Sequence, residues 1–200
     1  LILDSTSFNI DEIKEAFDQN YITIDMTGNF CVGVVKIDNF EQFEENFQYK
    51  DGQLMRFAIK NVLCEVLSEE FSVQMTDINT DEMVFICNSP NNHLSTVSSM
   101  RKLLYNSIMH IQKYINLSVT ISVSEFTTQI TDISNCYRQA RDFSNYRFIL
   151  GKGAVIFSDN VTKNEISQEL FFSAQLEENL GRSIKSCDFG FFEETLSKIF

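Results

Sequence analysis

Acidic side chains occur at two points of the chain where they could take part in metal-dependent chemistry. Asp81 and Glu82 are adjacent in the stretch Asn79–Met83, which separates two short apolar segments. Asp38 follows another apolar run, two residues after Lys36. Carboxylates in such positions can hold Mg²⁺ against the charge that develops in phosphoryl transfer. Acidic residues are also common in hairpin turns, and Lys36 with Asp38 can equally be an ion pair or a solvated strand end, so both interpretations remain open.

No other arrangement of catalytic or metal-binding residues stands out in the sequence. The G-x-S-x-G, H-E-x-x-H and P-loop motifs are absent. His93 and His110 have no second Cys or His at the spacing of metal ligands. Gly151-Lys152-Gly153 is most simply a turn before a strand. We therefore expect no catalytic residue, no metal ion and no cofactor.

Composition and charge narrow the class of protein. The net charge of −12 and the absence of a dense Lys/Arg block argue against direct nucleic-acid binding by this region. No run of about 18 apolar residues exists that could span a membrane. The cysteines are scattered, odd in number and free of C-x-x-C pairs, which favours reduced thiols and a cytoplasmic location: Cys31, Cys64, Cys87, Cys136 and Cys187.

Hydrophobic periodicity predicts an α/β domain. After a short entry helix within residues 1–22, the order of elements is β-α-β-β-α-β-α-β, which implies one mixed sheet with flanking helices. The second and third strands form a hairpin whose turn is Asn79–Asp81. The predicted strands cover residues 30–35, 71–76, 83–87, 117–124 and 154–157.

The pattern changes near residue 160. We expect residues 1–160 to form the α/β domain, and residues 161–200 to form a helical pair that serves as a connector. Apolar residues recur at helical spacing in 170–184 and again in 189–199. Such a pair is too short to bury its own apolar surface, so it should dock on a neighbouring domain or lead into one.

Three stretches resemble the motifs of GGDEF domains, the family of diguanylate cyclases. Asn79-Thr80-Asp81-Glu82-Met83 is similar to the GGDEF turn itself, with the acidic pair kept and both glycines replaced. Lys36–Glu41 resembles Asp-x-Asp-x-Phe-Lys, and Cys136–Arg141 resembles the helix that carries Ala-Leu-Tyr-x-Ala-Lys. The resemblance covers about residues 28–158. It implies a GGDEF or nucleotide-cyclase-like fold, which is ferredoxin-like.

The departures from the family pattern imply a degenerate relative that is not an enzyme. Lys36 stands where active relatives have an Asp that holds Mg²⁺, and Glu44 stands at the position of a guanine-contacting Asn. Asn79 and Thr80 each add a side chain where glycine lets the backbone approach a substrate. The family's inhibitory Arg-x-x-Asp site is also missing. Lys36 is expected to pair with Asp81 or Glu82, and the residues of a possible ligand pocket are Lys36, Asp38, Asn39, Glu44 and Asp81.

A narrower resemblance is to the GGDEF-like domains of large AraC-family regulators of Gram-positive bacteria. It implies a signal-relay domain of a transcription regulator that acts through packing and self-association or contacts with other domains, without touching DNA or membrane itself. A DNA-binding helix-turn-helix would then follow. The alternative is a non-catalytic sensor that binds GTP or a related nucleotide. The stretches that carry this resemblance are Val34–Phe40, Ser118–Ser124, Tyr137–Ala140, Leu176–Leu180 and Phe192–Leu196.

Overall fold

The fold is known from a computed structural model. Backbone contacts divide the chain into two units, Leu1–Val161 and Thr162–Phe200. The roles assigned above to these two parts of the chain stay predictions. The structure describes residues 10–19, 27–38, 49–89, 93–163, 183 and 189–196.

The first unit contains five strands and several helices. The strands are β1 (Asn29–Ile37), β2 (Ser72–Asp77), β3 (Glu82–Ser89), β4 (Val119–Val123) and β5 (Val155–Ile156). The helices are α1 (Ile10–Gln19), α2 (Tyr49–Leu67), α3 (His93–His110), α4 (Ile133–Ser144) and α5 (Arg147–Leu150), and a further helix, α6 (Ser158–Lys163), begins in this unit. In the part of the chain that the structure describes, no helix is long and apolar enough to cross a membrane.

The strands form one mixed sheet in the order β2-β3-β1-β4-β5. All neighbouring pairs are antiparallel except β4 and β5, which are parallel. Helices α2 and α3 cover one face, while α1 and α4 cover the other. The predicted fold class, a mixed sheet with flanking helices, is confirmed.

Strand β1 is the centre of the sheet because its apolar run can be buried on both faces. Cys31, Val35 and Ile37 pack against α2 and α3, whereas Val32 and Val34 pack towards α4. Such strands carry near-continuous apolar sequence rather than alternation. β3, which the alternation of Met83, Phe85 and Cys87 suggested to be exposed on one face, is buried at all eight positions.

Helix α4 ends earlier than the sequence suggested. The helical spacing of Ile133, Tyr137 and Ala140 predicts a helix that runs to about Gly151, but α4 ends at Ser144 and a separate short helix begins at Arg147. The Ser144 hydroxyl donates to the Arg141 carbonyl at 2.6 Å. Serine side chains that bond to nearby carbonyls in this way often bend helices. The break turns the chain so that Arg147 can reach the end of the sheet.

In the second unit the structure describes one helix, α7, which spans Phe189–Leu196. It lies within the second predicted helix of the pair. The first predicted helix, residues 170–184, falls almost entirely outside the described residues, which include only its Ser183.

Gly33 allows the central strand to pass beneath an aromatic ring. It lies opposite Phe85 in the β1–β3 register, and a Cβ at Gly33 would stand 2.0 Å from the Phe85 Cζ atom. We expect Gly33→Ala to lower the free energy of unfolding by about 1–3 kcal/mol, the usual cost of overpacking a core. The measurement is denaturant unfolding of Gly33→Ala, Phe85→Leu and the double variant. The alanine should cost clearly less in the Phe85→Leu background, and simple additivity of the two costs would contradict this account.

Candidate functional site

The acidic residues that the sequence analysis singled out lie at one end of the sheet. Lys36, near the end of β1, lies directly opposite Glu82, the first residue of β3. Asp38 follows β1, and its amide donates to the Ser118 carbonyl at 2.9 Å, just before β4. Strand pairing alone therefore brings three of the candidate side chains to the same edge of the fold.

The hairpin turn is closed by the side chain of Asn79. Its Oδ1 atom accepts hydrogen bonds from the amides of Asp81 at 3.1 Å and Glu82 at 2.9 Å. This is an Asx-type turn, in which a short amide side chain replaces a backbone partner. The Ile37 amide donates to the Asp81 carbonyl at 3.1 Å, which fixes the turn to β1. The turn is thus built without glycine.

Glu82 is a buried carboxylate with a partner on each oxygen. The residue is 3% exposed. Lys36 Nζ lies 3.6 Å from Oε2, and the Tyr137 hydroxyl donates to Oε1 at 2.8 Å. Of the two partners expected for Lys36, the structure therefore selects Glu82 rather than Asp81.

Tyr137 comes from α4 and lies in the core beneath Glu82. Burial of the hydroxyl, followed by its hydrogen bond and proximity to the Glu82 carboxylate, raises the pKa of Tyr137 to about 12. Burial and the nearby carboxylate both disfavour the ionised phenol, which would be a second negative charge in a buried site. The phenol therefore stays a donor to Glu82 throughout the neutral range.

The Asp38 carboxylate has more hydrogen-bond partners than that of Glu82. Its side chain is 1% exposed. Oδ1 accepts from the Thr120 hydroxyl at 2.9 Å and lies 3.9 Å from Arg147 Nη1. Oδ2 accepts from the Ser118 hydroxyl at 2.6 Å and from the Gly153 amide at 2.9 Å. Asp38 thereby ties β1 to β4, to α5 and to the turn before β5.

Sequence reasoning identified part of this cluster. It named Lys36, Asp38 and Glu82, while Asn39 and Glu44 of the possible pocket lie outside the described residues. It missed the partners of Asp38, namely Ser118, Thr120, Arg147 and Gly153. The signal for two of them was present, since Ser118 and Thr120 are polar positions of the alternating strand and so share one face. No local sequence pattern indicated Arg147, because its position near Asp38 depends on the break after α4.

All four carboxylate oxygens of Asp38 and Glu82 are thus engaged by donors or cations from the protein itself. The compensating groups include Lys36, Tyr137 and Arg147. Among the residues that the structure describes, no group of three or more His, Cys, Asp or Glu side chains could hold a metal ion. The cluster is arranged to satisfy its own charges.

Comparison with known proteins identifies the fold. The active GGEEF domain of a diguanylate cyclase from Vibrio cholerae matches 72% of this chain and 88% of its own, with a TM-score of 0.53 and 12% identity. The GGDEF domain of DgcB from Caulobacter crescentus, in complex with c-di-GMP, matches 80% of this chain and 99% of its own, with a TM-score of 0.53 and 12% identity. This chain has a GGDEF-like fold. A bacterial light-regulated adenylyl cyclase is also similar, with a TM-score of 0.50, 10% identity and coverage of 70% of this chain and 80% of its own.

Neither a protein-family model nor a curated protein matches the chain. At 10–12% identity, similarity to these solved structures establishes the GGDEF-like fold and leaves activity to be argued from the site. In this fold the hairpin turn between β2 and β3 lies beside the end of the central strand, where the cluster described above is found.

The Lys36–Glu82 pair makes a specific stability prediction. Lys36→Met leaves the buried Glu82 carboxylate without its cation, and we expect a loss of about 3 kcal/mol in the free energy of unfolding. Lys36→Met combined with Glu82→Gln should recover most of this loss, because the amide oxygen still accepts from Tyr137. The control is Lys60→Met, which breaks the more exposed 2.5 Å pair with Asp77 and should cost at most about 1 kcal/mol. Equal losses at Lys36 and Lys60 would contradict a buried, coupled pair.

Tyr137 predicts a dependence of stability on alkaline pH. Its pKa is raised to about 12 in the folded protein, so its contribution is complete below the ordinary tyrosine pKa of about 10 and is lost as pH rises through 12. Tyr137→Phe should be about 1.5–3 kcal/mol less stable than the parent at pH 8, since a hydrogen bond to a charged group is lost. The difference should shrink between pH 10 and 12. Tyr114→Phe, at a residue 70% exposed, is the control and should show no such trend.

Proposed function

We propose that this chain is a non-catalytic regulatory domain of a transcription regulator, which relays a signal on a GGDEF-like fold through packing and self-association. The observation that carries the proposal is that the chain itself supplies partners for the buried carboxylates of the site. Every carboxylate oxygen of Asp38 and Glu82 has a donor or cation supplied by the chain.

The residues present do not fit a bound Mg²⁺. Phosphoryl transfer in cyclases requires carboxylates that hold the metal against the developing charge. Here Lys36 already neutralises Glu82 and stands at the position where the family resemblance places a metal-binding Asp. A metal ion would have to displace that ammonium group, and it would also meet the hydrogen-bonded Tyr137.

Two amides of the turn already have acceptors within the chain. Backbone amides in glycine-rich turns bind phosphates because they point outwards and no Cβ blocks the approach. In this chain the amides of Asp81 and Glu82 donate to the Asn79 side chain instead. This supports a turn that keeps the hairpin in place and does not receive a nucleotide.

The relay itself is supported by how the first unit ends. Arg101 of α3 donates to the carboxylate of Asp159 at 2.7 Å and to the side-chain oxygen of Asn160 at 3.2 Å, and its guanidinium lies 4.3 Å from the centre of the Phe157 ring. These contacts hold the start of α6, where the chain leaves the sheet. Because the start of α6 is fixed to the sheet domain, a displacement of that domain can be passed on to the segment that follows.

The transcriptional context rests on the resemblance to AraC-family regulators, and with it we propose a cytoplasmic location. The codons that follow Phe200 in the gene test this part of the proposal, because they should encode a basic helix-turn-helix. A gene that encodes no DNA-binding segment on either side would contradict the transcriptional role and leave the non-catalytic assignment to be judged separately.

The decisive experiment asks whether the site still receives a nucleotide. We expect no change in melting temperature with millimolar GTP and Mg²⁺, and no cyclic di-GMP in the reaction. A ligand at 100 times its dissociation constant would add about 2.7 kcal/mol, which corresponds to about 5–10 °C for a domain of this size. An active diguanylate cyclase domain serves as the positive control for both measurements.

A matched variant tests whether Lys36 alone prevents Mg²⁺ from binding or whether the site lacks other metal ligands as well. Lys36→Asp removes the cation and supplies the carboxylate that the family motif would have. If Lys36 is what excludes the metal, Mg²⁺ should stabilise this variant and not the parent protein. A melting shift of the parent with GTP would instead favour the nucleotide-sensing alternative, and cyclic di-GMP formation would overturn the non-catalytic assignment.

A further inference from the structure

Among the strands that the structure describes, β2 is an edge of the sheet and pairs only with β3. In the β2–β3 hairpin the Ile78 amide bonds to the Glu82 carbonyl, so the even-numbered residues of β2 face β3. Hydrogen-bonded and non-hydrogen-bonded positions alternate in an antiparallel pair. The amides and carbonyls of Val73, Met75 and Asp77 therefore point away from the sheet, and no other described strand pairs with them. The Asp77 carbonyl accepts from the Thr76 hydroxyl at 3.5 Å and keeps a second lone pair for an amide.

This edge lacks the usual features that prevent pairing with another chain. Natural edge strands are protected by lysine, proline, bulges or very short length. Ser72–Thr76 contains no charge and no proline, and β2 pairs with β3 without a bulge over six residues. The carboxylate of Asp77 is neutralised by Lys60 at 2.5 Å. The opposite edge, β5, has only two residues.

We propose that β2 is the surface through which two copies of this chain associate, by antiparallel β2–β2 pairing about a two-fold axis at Met75. The inference rests on the proposed relay function, for which it names the partner and the interface. Two five-stranded sheets would become one continuous sheet.

The register follows from which backbone groups are free. Centred on Met75, the pairing places Val73 opposite the partner's Asp77 and Met75 opposite the partner's Met75. All three outward-facing residues of each copy are then used, with hydrogen bonds exchanged at every pair. A register shifted to include Phe71 would lose a bond, because the Phe71 amide already donates to the Leu67 carbonyl at 3.0 Å.

Charged residues at the two ends of β2 come together in this arrangement. Exposed Glu69 and Glu70 precede the strand. Arg56 lies at the other end, where its guanidinium donates to the Thr80 carbonyl at 3.3 Å. Antiparallel pairing brings the start of one β2 to the end of the other, so Glu70 of one copy comes opposite the partner's Thr80, where Arg56 supplies a positive charge, while Glu69 comes opposite the partner's Asp81.

A charge-swap experiment tests both the surface and its register. In this register Gln74 faces the partner's Thr76 across a non-hydrogen-bonded pair, where side chains are closest. One variant carries Gln74→Lys with Thr76→Lys, and the other carries Gln74→Glu with Thr76→Glu. Each alone should weaken dimerisation about tenfold through like-charge repulsion, and an equimolar mixture should form heterodimers. Sedimentation velocity gives the dissociation constants, and native mass spectrometry identifies the heterodimer.

Asn61→Lys with Asn106→Lys is the matched control, because it adds the same charge at exposed positions of α2 and α3. This control should dimerise like the parent. Circular dichroism and melting curves check that every variant is folded. A parent chain that stays monomeric at millimolar concentration, variants that dimerise like the parent, or a mixture without heterodimers would each overturn the β2 interface. None of these results bears on nucleotide binding, so the non-catalytic assignment would fail or stand by its own test.

Discussion

The structure depends on compensating two carboxylates, Asp38 and Glu82, that are buried at one end of the sheet. A carboxylate loses its hydration on burial and is stable only when donors or cations replace the water. The replacements come from β1, β4, α4, α5 and the turn before β5. The same contacts that satisfy the charges therefore hold most of the fold's elements in register at that end.

The rest of the domain is held by apolar packing on both faces of the central strand. Large side chains fill the face under α2 and α3, and a second cluster lies between the sheet and α4. This packing requires only apolar residues of suitable size on both faces of the central strands, and so it places few demands on the hairpin turn. The GGDEF-like fold can persist at 12% identity because its core and its turn are specified by different residues.

Sequence patterns predicted the elements well where the pattern has a local physical cause. β1 follows from a β-branched apolar run, and β4 follows from the strict alternation around Ile121. The sequence does not decide whether Lys36 pairs with Asp81 or with Glu82, because this depends on the register between β1 and β3. A shift of one residue in that register would change the partner. Arg147 was missed for a related reason: its position depends on the end of α4 at Ser144, and the ends of helices are poorly encoded in periodicity.

A site that satisfies its own charges suits the role proposed for this domain. Active sites usually leave charged groups poised and partly unsatisfied, because the substrate supplies the missing partners. Here Asp38 receives its partners from three separate segments, at β4, at α5 and in the turn before β5, so it links them to the end of β1. In the relay that we propose, the signal passes through the edge at β2 and through the chain exit at the Arg101 contacts with α6, and the buried cluster keeps these two surfaces in a fixed relation.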